Sequence, residues 1–317
     1  MEQRKAWKRV LTIVLTSTKL KKSFTFGANY LKGKDDLAIK ATINKFMSTL
    51  KDTCVVEIDN LTHNEITQII MGEFYNLQIW AGYEKGNINK VFDGGVLYLS
   101  NRLNDDKTTT LIILGASQLV AKYGQSRINL TLNSGINLYS AINFICRRAG
   151  IQNSNVSTQF KKVFLEEVMN VNDNTGTWLD KLVSSNTSYI INSDSILENT
   201  FSIFDSAVSN SRVISLKNSD ILLTGGFPRL TNEGLELTLL PTFNFICGDI
   251  VKIDNSILDI SVTSQQEISK NYGAYFSQKG EYMITEMIYI LQNRGPSFNL
   301  KLNCKNRDRI SAYIGGK

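Results

Sequence analysis

Thr53-Cys-Val-Val-Glu-Ile-Asp59, then Asn60, then Leu61-Thr-His-Asn-Glu-Ile-Thr-Gln-Ile-Ile-Met-Gly72 place a strand, a stop and a helix in immediate succession. The first run is β-branched and alternating. The second opens on a capping box, with Thr62 answered by Glu65, and on a staple of Leu61 against Ile66. Ile66, Ile69 and Ile70 share one helical face, and Gly72 supplies the stop. Strand patterns resume at once: 74–81, where Tyr75, Leu77 and Ile79 alternate with Asn76 and Gln78, then 91–100, then 108–115. Gly82 to Asn87 is turn chemistry, and the Gly94-Gly95 pair marks a bulge or tight bend. The stretch predicts a small β-barrel or sandwich with one helix plugged against it.

Toward the N-terminus, 9–16 predicts a first strand, followed by a basic turn around Lys19, Lys21 and Lys22. In 37–44, Leu37, Ile39, Ala41 and Ile43 face one way while Lys40, Thr42 and Asn44 face the other: a half-buried strand. The first unit so defined has about six strands and one helix and closes near 127–132. Beyond it the pattern changes. In 137–150, Asn137 is an N-cap, Leu138, Ala141, Ile142, Ile145 and Ala149 form the apolar stripe, and Gly150 ends the helix. Arg147 and Arg148 in its last turn suit the helix dipole better than a ligand site. A polar, irregular stretch follows over 153–174, with a weakly amphipathic piece around 160–168. A second short helix is expected over 177–185, and short strands over 189–192, 201–204 and 212–216. From Ile221 the β signature returns, at 235–240, 249–254 and 282–291. It ends in a hairpin turning at Gln292-Asn-Arg-Gly-Pro296, with Phe298, Leu300, Leu302 and Cys304 on one face of the return strand. The expected class is mainly β with an α+β insert, divided as 1–134, 135–217 and 218–317.

Length and composition agree with this division. A chain of 317 residues favours two or three domains, and 42% hydrophobic with 20% charged residues is a globular balance. The net charge is +6, and Arg4, Lys5, Lys8, Arg9, Lys19, Lys21 and Lys22 crowd one end. No aromatic interleaving or nucleic-acid reader motif accompanies them, so the arm reads as solvated or partner-facing. The run Val10 to Leu15 behind these cations mimics a signal peptide, but it is short, broken by Thr12 and lacks a cleavage site. No segment approaches a membrane span, and a protein made and kept in a cytoplasm is expected.

Chemistry is hard to place on this sequence. Cys54, Cys146, Cys247 and Cys304 are dispersed, and His63 is the single histidine, which argues against a zinc site or a Ser-His or Cys-His system. No phosphate-cradling loop, dinucleotide fingerprint or nucleophile elbow is present. Of the acid pairs Asp35-Asp36, Asp105-Asp106 and Glu166-Glu167, the first two read as solvated turns, and glycosidase carboxylates need a cleft. Trp80, Tyr83, Phe92 and Tyr98 could line a sugar groove, although strand aromatics more often fill a core. No catalytic residue, cofactor or metal is expected.

Several phrases resemble the baseplate hub proteins of contractile-tailed bacteriophages, the Mu-like and T-even-like group. They are Ile58-Asp-Asn-Leu61 before the capped helix, Trp80-Ala-Gly-Tyr83, Val91-Phe-Asp-Gly-Gly95, Gly226-Phe-Pro228 followed by Leu240-Pro241, Gly248 to Asp254, Gly280-Glu-Tyr-Met-Ile284, and Phe298-Asn-Leu-Lys-Leu302. They run nearly the length of the chain in the order barrel, α+β insert, barrel. The resemblance implies two tail-tube-like β-barrel domains per chain and a homotrimeric ring of six similar modules. Such a ring would join the sixfold tail tube protein to a threefold central spike protein, with baseplate wedge or tape-measure proteins as further partners. DNA would pass through its channel without specific binding. A carbohydrate- or receptor-binding β protein of a phage tail is the alternative from another class.

Overall fold

The computed structural model describes residues 8–17, 19–27, 37–46, 52–73, 76–84, 86–105, 108–117, 127–150, 154–156, 158–175, 189–192, 201–205, 212–222, 226–231, 234–242, 244–260 and 276–306. The helix expected over 177–185 lies outside them. Mainly β, the fold keeps its helices few. Its first half comprises β1 (Arg9–Ser17), β2 (Lys22–Gly27), β3 (Ile39–Phe46), β4 (Thr53–Asp59), α1 (His63–Ile70), β5 (Asn76–Tyr83), β6 (Ile88–Leu103) and β7 (Thr109–Ser117). The middle holds β8 (Arg127–Leu132), α2 (Leu138–Arg148), β9 (Ser154–Val156), a 3-10 turn at Thr158–Lys162, β10 (Met169–Asn174), β11 (Tyr189–Asn192) and β12 (Phe201–Asp205). The second β-rich half comprises β13 (Val213–Ser215), α3 (Asn218–Leu222), β14 (Arg229–Thr231), β15 (Gly234–Leu239), β16 (Ile250–Lys252), β17 (Asp259–Ile260), β18 (Glu281–Gln292) and β19 (Phe298–Asn306).

The local signals act as expected. Thr62 caps α1, its side chain accepting from the Glu65 N–H while the Glu65 carboxylate accepts from the Thr62 N–H. Asn137 caps α2 through the Ser140 N–H, and Leu138, Ala141, Ile142 and Ile145 are buried. On β19, Phe298, Leu300, Leu302 and Cys304 are buried and Lys301 exposed.

The long-range assembly departs from expectation. β1–β7 and β13–β19 together make a single 14-stranded sheet, because β3 lies antiparallel to β18 from Phe46↔Glu286 to Lys40↔Gln292. One apolar core runs through both halves, from Leu11, Ile13 and Leu15 to Tyr289, Leu300 and Leu302. The two expected barrels are therefore not separate closed rings among the described residues; the main path ends at β2 on one side and β17 on the other. β8, expected to close the first unit, instead pairs with β10 along its full length. Ile128, Leu130 and Leu132 pack with α2 in a second, smaller core, so the insert's packing begins before residue 135. β10 falls in the stretch expected to be irregular. Its Asn and Asp residues hide the strand, since only Val171 is buried.

The two halves share one strand order. In the first, the neighbours run β3-β4-β7-β6-β5; in the second, β14-β15-β19-β18-β16. Every neighbouring pair in both series is antiparallel. Each half also carries a register shift in its last hairpin, at Val96/Tyr98 and at Ile284/Glu286. The bulge anticipated at Gly94-Gly95 thus falls just beyond those glycines. Gly94 itself is needed for close approach: a Cβ there would stand 2.2 Å from the Ala116 carbonyl oxygen.

Candidate functional site

Among the described residues, those with chemical potential are not brought together. His63 is exposed in the first turn of α1. All four cysteines are buried free thiols. Burial pushes the Cys146 thiol up to about 12, and raises Cys54 and Cys304 too, so none of these three is a ready thiolate. Glu166 and Glu167 are exposed, as is Asp105; Asp35, Asp36 and Asp106 lie outside the described residues. No group of His, Cys, Asp or Glu among the described residues could hold a metal ion. The aromatics do not line a groove: Tyr83 and Phe92 are buried, Trp80 is half-buried, and of the four only Tyr98 is exposed. An open cavity of about 440 Å³ sits near the β18 bulge, with Glu236, Glu286, Asn303 and Cys304 in its wall. There Glu286 is held by the Asn303 side-chain amide at 2.6 Å.

What the chain does assemble with care is the joint between its halves. The turn at 292–296 is clamped by the other half of the molecule. Arg9, at the start of β1, donates to the carbonyls of Gln292, Gly295 and Pro296. Its guanidinium also lies 5.4 Å from the centre of the Phe298 ring, against which Tyr83 packs edge-on at 5.4 Å. Burial raises the Tyr83 hydroxyl's pKa, and the Arg9 charge opposes that rise. Asn293 closes the other side: its side-chain oxygen accepts from the Ile39 N–H at 2.8 Å and its amide donates to the Leu37 carbonyl at 2.8 Å. Asn89 adds a bond to the Thr242 carbonyl at 2.8 Å. The sequence marked 292–296 as a turn and counted Arg9 among the loose cations. Nothing local says that the two meet, because the contact spans nearly the whole chain.

The remaining basic residues of the N-terminal cluster that are described largely find partners at home. Lys8 pairs with Glu84 at 3.5 Å, Lys19 with Glu73 at 2.6 Å, and Lys22 reaches Gln68 and the Phe24 ring. Arg4 and Lys5 lie outside the described residues. These exposed pairs are each worth only about 0–1 kcal/mol. Membrane crossing is not indicated by the helices: among the described residues none is long and apolar enough.

Strand edges are the other prominent surface. Among the described residues, β5 covers β6 from Ile88 to Gly94, and from there to Leu103 β6 pairs with β7 alone. The uncovered part bears Leu97, Tyr98 and Leu103, which are 45%, 60% and 71% exposed. An unpaired edge with apolar side chains is a template for another strand.

No protein-family model and no curated protein matches this chain. Solved structures do match, at the level of fold. The 43 kDa tail protein of prophage MuSo2 from Shewanella oneidensis superposes with a TM-score of 0.58 at 11% identity, covering 94% of this chain and 97% of that one. A tail protein from Neisseria meningitidis MC58 gives 0.57 at 8% identity, covering 97% of this chain and 99% of that one. The Escherichia coli c3393 protein gives 0.51 at 10% identity, covering 85% and 73%. It is described as a component of the type VI secretion system with structural similarity to the T4 tail proteins gp27 and gp5. The chain shares the fold of the two tail proteins along nearly its whole length.

Proposed function

We propose that this chain is a structural protein of a contractile phage tail, the central hub of its baseplate. The observation that carries the proposal is the strand order repeated within one chain. Two similar β units joined edge to edge supply a third of a six-unit ring, so three chains close it. The ring would present near-sixfold symmetry to the tail tube protein and threefold symmetry to a central spike protein, while keeping the channel open for DNA. Closed cyclic association also satisfies strand edges that would otherwise recruit further chains without limit. Within it the chain has three units, 1–134, 135–217 and 218–317, with β8 lent to the middle one; the outer two are tube-like. The similarity to tail proteins of two other bacterial sources, and to a type VI secretion component, supports the same assignment.

Light scattering of the purified protein should return three times the 35.6 kDa chain mass, and negative-stain images should show a hollow ring. A stable monomer would overturn the ring.

The role proposed is mechanical, without catalysis, in the virion tail. Replacing His63 with Ala should leave both ring formation and incorporation into tails unchanged, because the side chain is exposed and outside the cap bonds. A hydrolytic turnover on cell-wall glycan or peptide that is lost in this variant would refute the non-enzymatic assignment.

A further inference from the structure

β18 shows what β6 lacks. The two strands occupy equivalent places in the repeated order, each forming the last hairpin of its half. The beginning of β18 pairs with β16, over Glu281–Met283. A bulge follows at Ile284/Glu286, and from there to Gln292 the same edge is filled by β3, the first strand of the other half's series. β6 follows this plan up to a point. Its beginning pairs with β5, the equivalent of β16, and its own bulge follows at Val96/Tyr98. Among the described residues, no strand fills the edge beyond. The side chains follow suit: Met287, Tyr289 and Leu291 are buried on the second part of β18, whereas Leu97, Tyr98 and Leu103 stand exposed on that of β6.

We propose that the second part of β6, residues 95–103, is the edge on which a second copy of this chain docks. The strand that fills it is the one equivalent to β3, namely β14 of the neighbouring copy, and the pairing is antiparallel as in β18·β3. The inference rests on the ring proposed above and names the surface that closes it. Two features of β14 suit it to the task. Among the described residues, its outer edge is paired with β17 in parallel over two residues. The segment leading into it carries Phe227, 64% exposed, an apolar counterpart to Leu97 and Tyr98. Docking therefore exchanges one short parallel bridge for an antiparallel ladder and covers apolar surface on both copies.

The test is a double variant, Tyr98→Asp with Leu103→Lys, measured by light scattering beside the parent and beside Phe144→Asp, an exposed change on α2. The edge variant should fall threefold in mass to a single chain, with the parent's circular dichroism retained, while the α2 variant keeps the parent's mass. In a second arm, Ser100→Cys with Thr231→Cys is oxidised; covalent products should form that end at three chains, and neither single variant should give them. A parent of three chains whose edge variant also stays at three overturns the docking edge and leaves the ring standing. Dissociation of the edge variant with no cross-linking overturns β14 as the partner. A parent that is itself a single chain removes both the ring and this edge.

Discussion

A chain shortened to begin at Ser17 should fail to fold, whereas one lacking only residues 1–8 should fold with the stability of the parent. β1 is an interior strand, paired with β2 over Thr12 to Ser17 and with β5 over Arg9 to Thr16. It buries Leu11, Ile13 and Leu15 completely. Each such side chain contributes roughly 1.5–3 kcal/mol, so the three together approach the whole margin of about 5–15 kcal/mol that holds a domain folded. The loss of Arg9 releases the 292–296 turn as well. Removing residues 1–8 takes from the described contacts the exposed Lys8–Glu84 ion pair and the bond from the Glu84 N–H to the Lys8 carbonyl. Loss of residues 1–8 also tests whether the basic arm guides docking into tails: the parent's incorporation should weaken as salt rises, because charge attraction is screened, while the truncated chain's should start weaker and depend less on salt. Circular dichroism decides the first point. A cooperative melt from the chain that begins at Ser17 would show that β1 is dispensable.

Replacing Tyr289 with Ala should cost about 3–5 kcal/mol, as large aromatic truncations in packed cores do. Tyr289 is 1% exposed on β18, between Ile43 of β3 and Leu300 of β19. It stands where the two halves share their core, so the damage should not stay on one side. Hydrogen exchange should show amide protection falling together in β4 and β15, which belong to different halves of the same sheet. The insert, with its own core, should keep its protection. Loss confined to β15, β18 and β19 would mean that the halves are independent folding units despite their shared strands.

The sequence made local structure legible wherever a short-range pattern carries it. The Thr62–Glu65 box, the Asn137 cap and the alternation through Phe298, Leu300 and Leu302 each depend on neighbours within a few residues, and each is found as expected. Strand pairing depends on contacts hundreds of positions apart. Ile39, Ala41 and Ile43 announce a half-buried strand but not that β18 will lie beside it. Arg9 belonged by composition to a basic arm, and its actual role depends on a turn at the other end of the chain. The partners of β8 were not legible either, because alternation of Ile128, Leu130 and Leu132 says that one face is buried, not against what. The dispersal of the four cysteines and the isolation of His63 were legible from residue types alone. The uncovered edge of β6 was not, since Leu97 and Tyr98 look the same in sequence whether a strand covers them or not.

The doubled strand order also bears on how such a chain can change over generations. In a ring built from six copies of a single unit, every substitution appears six times and must suit six surroundings at once. Once two units share a chain, the same mutation appears three times and touches only one of the two. The long strands show the result: Tyr289 on β18 is sealed inside a joint, while Tyr98 on its counterpart β6 faces outward. In the ring proposed above, two units in one chain would thus offer selection two separate addresses on one scaffold, one free to stiffen into an internal seam and the other free to specialise toward a neighbour.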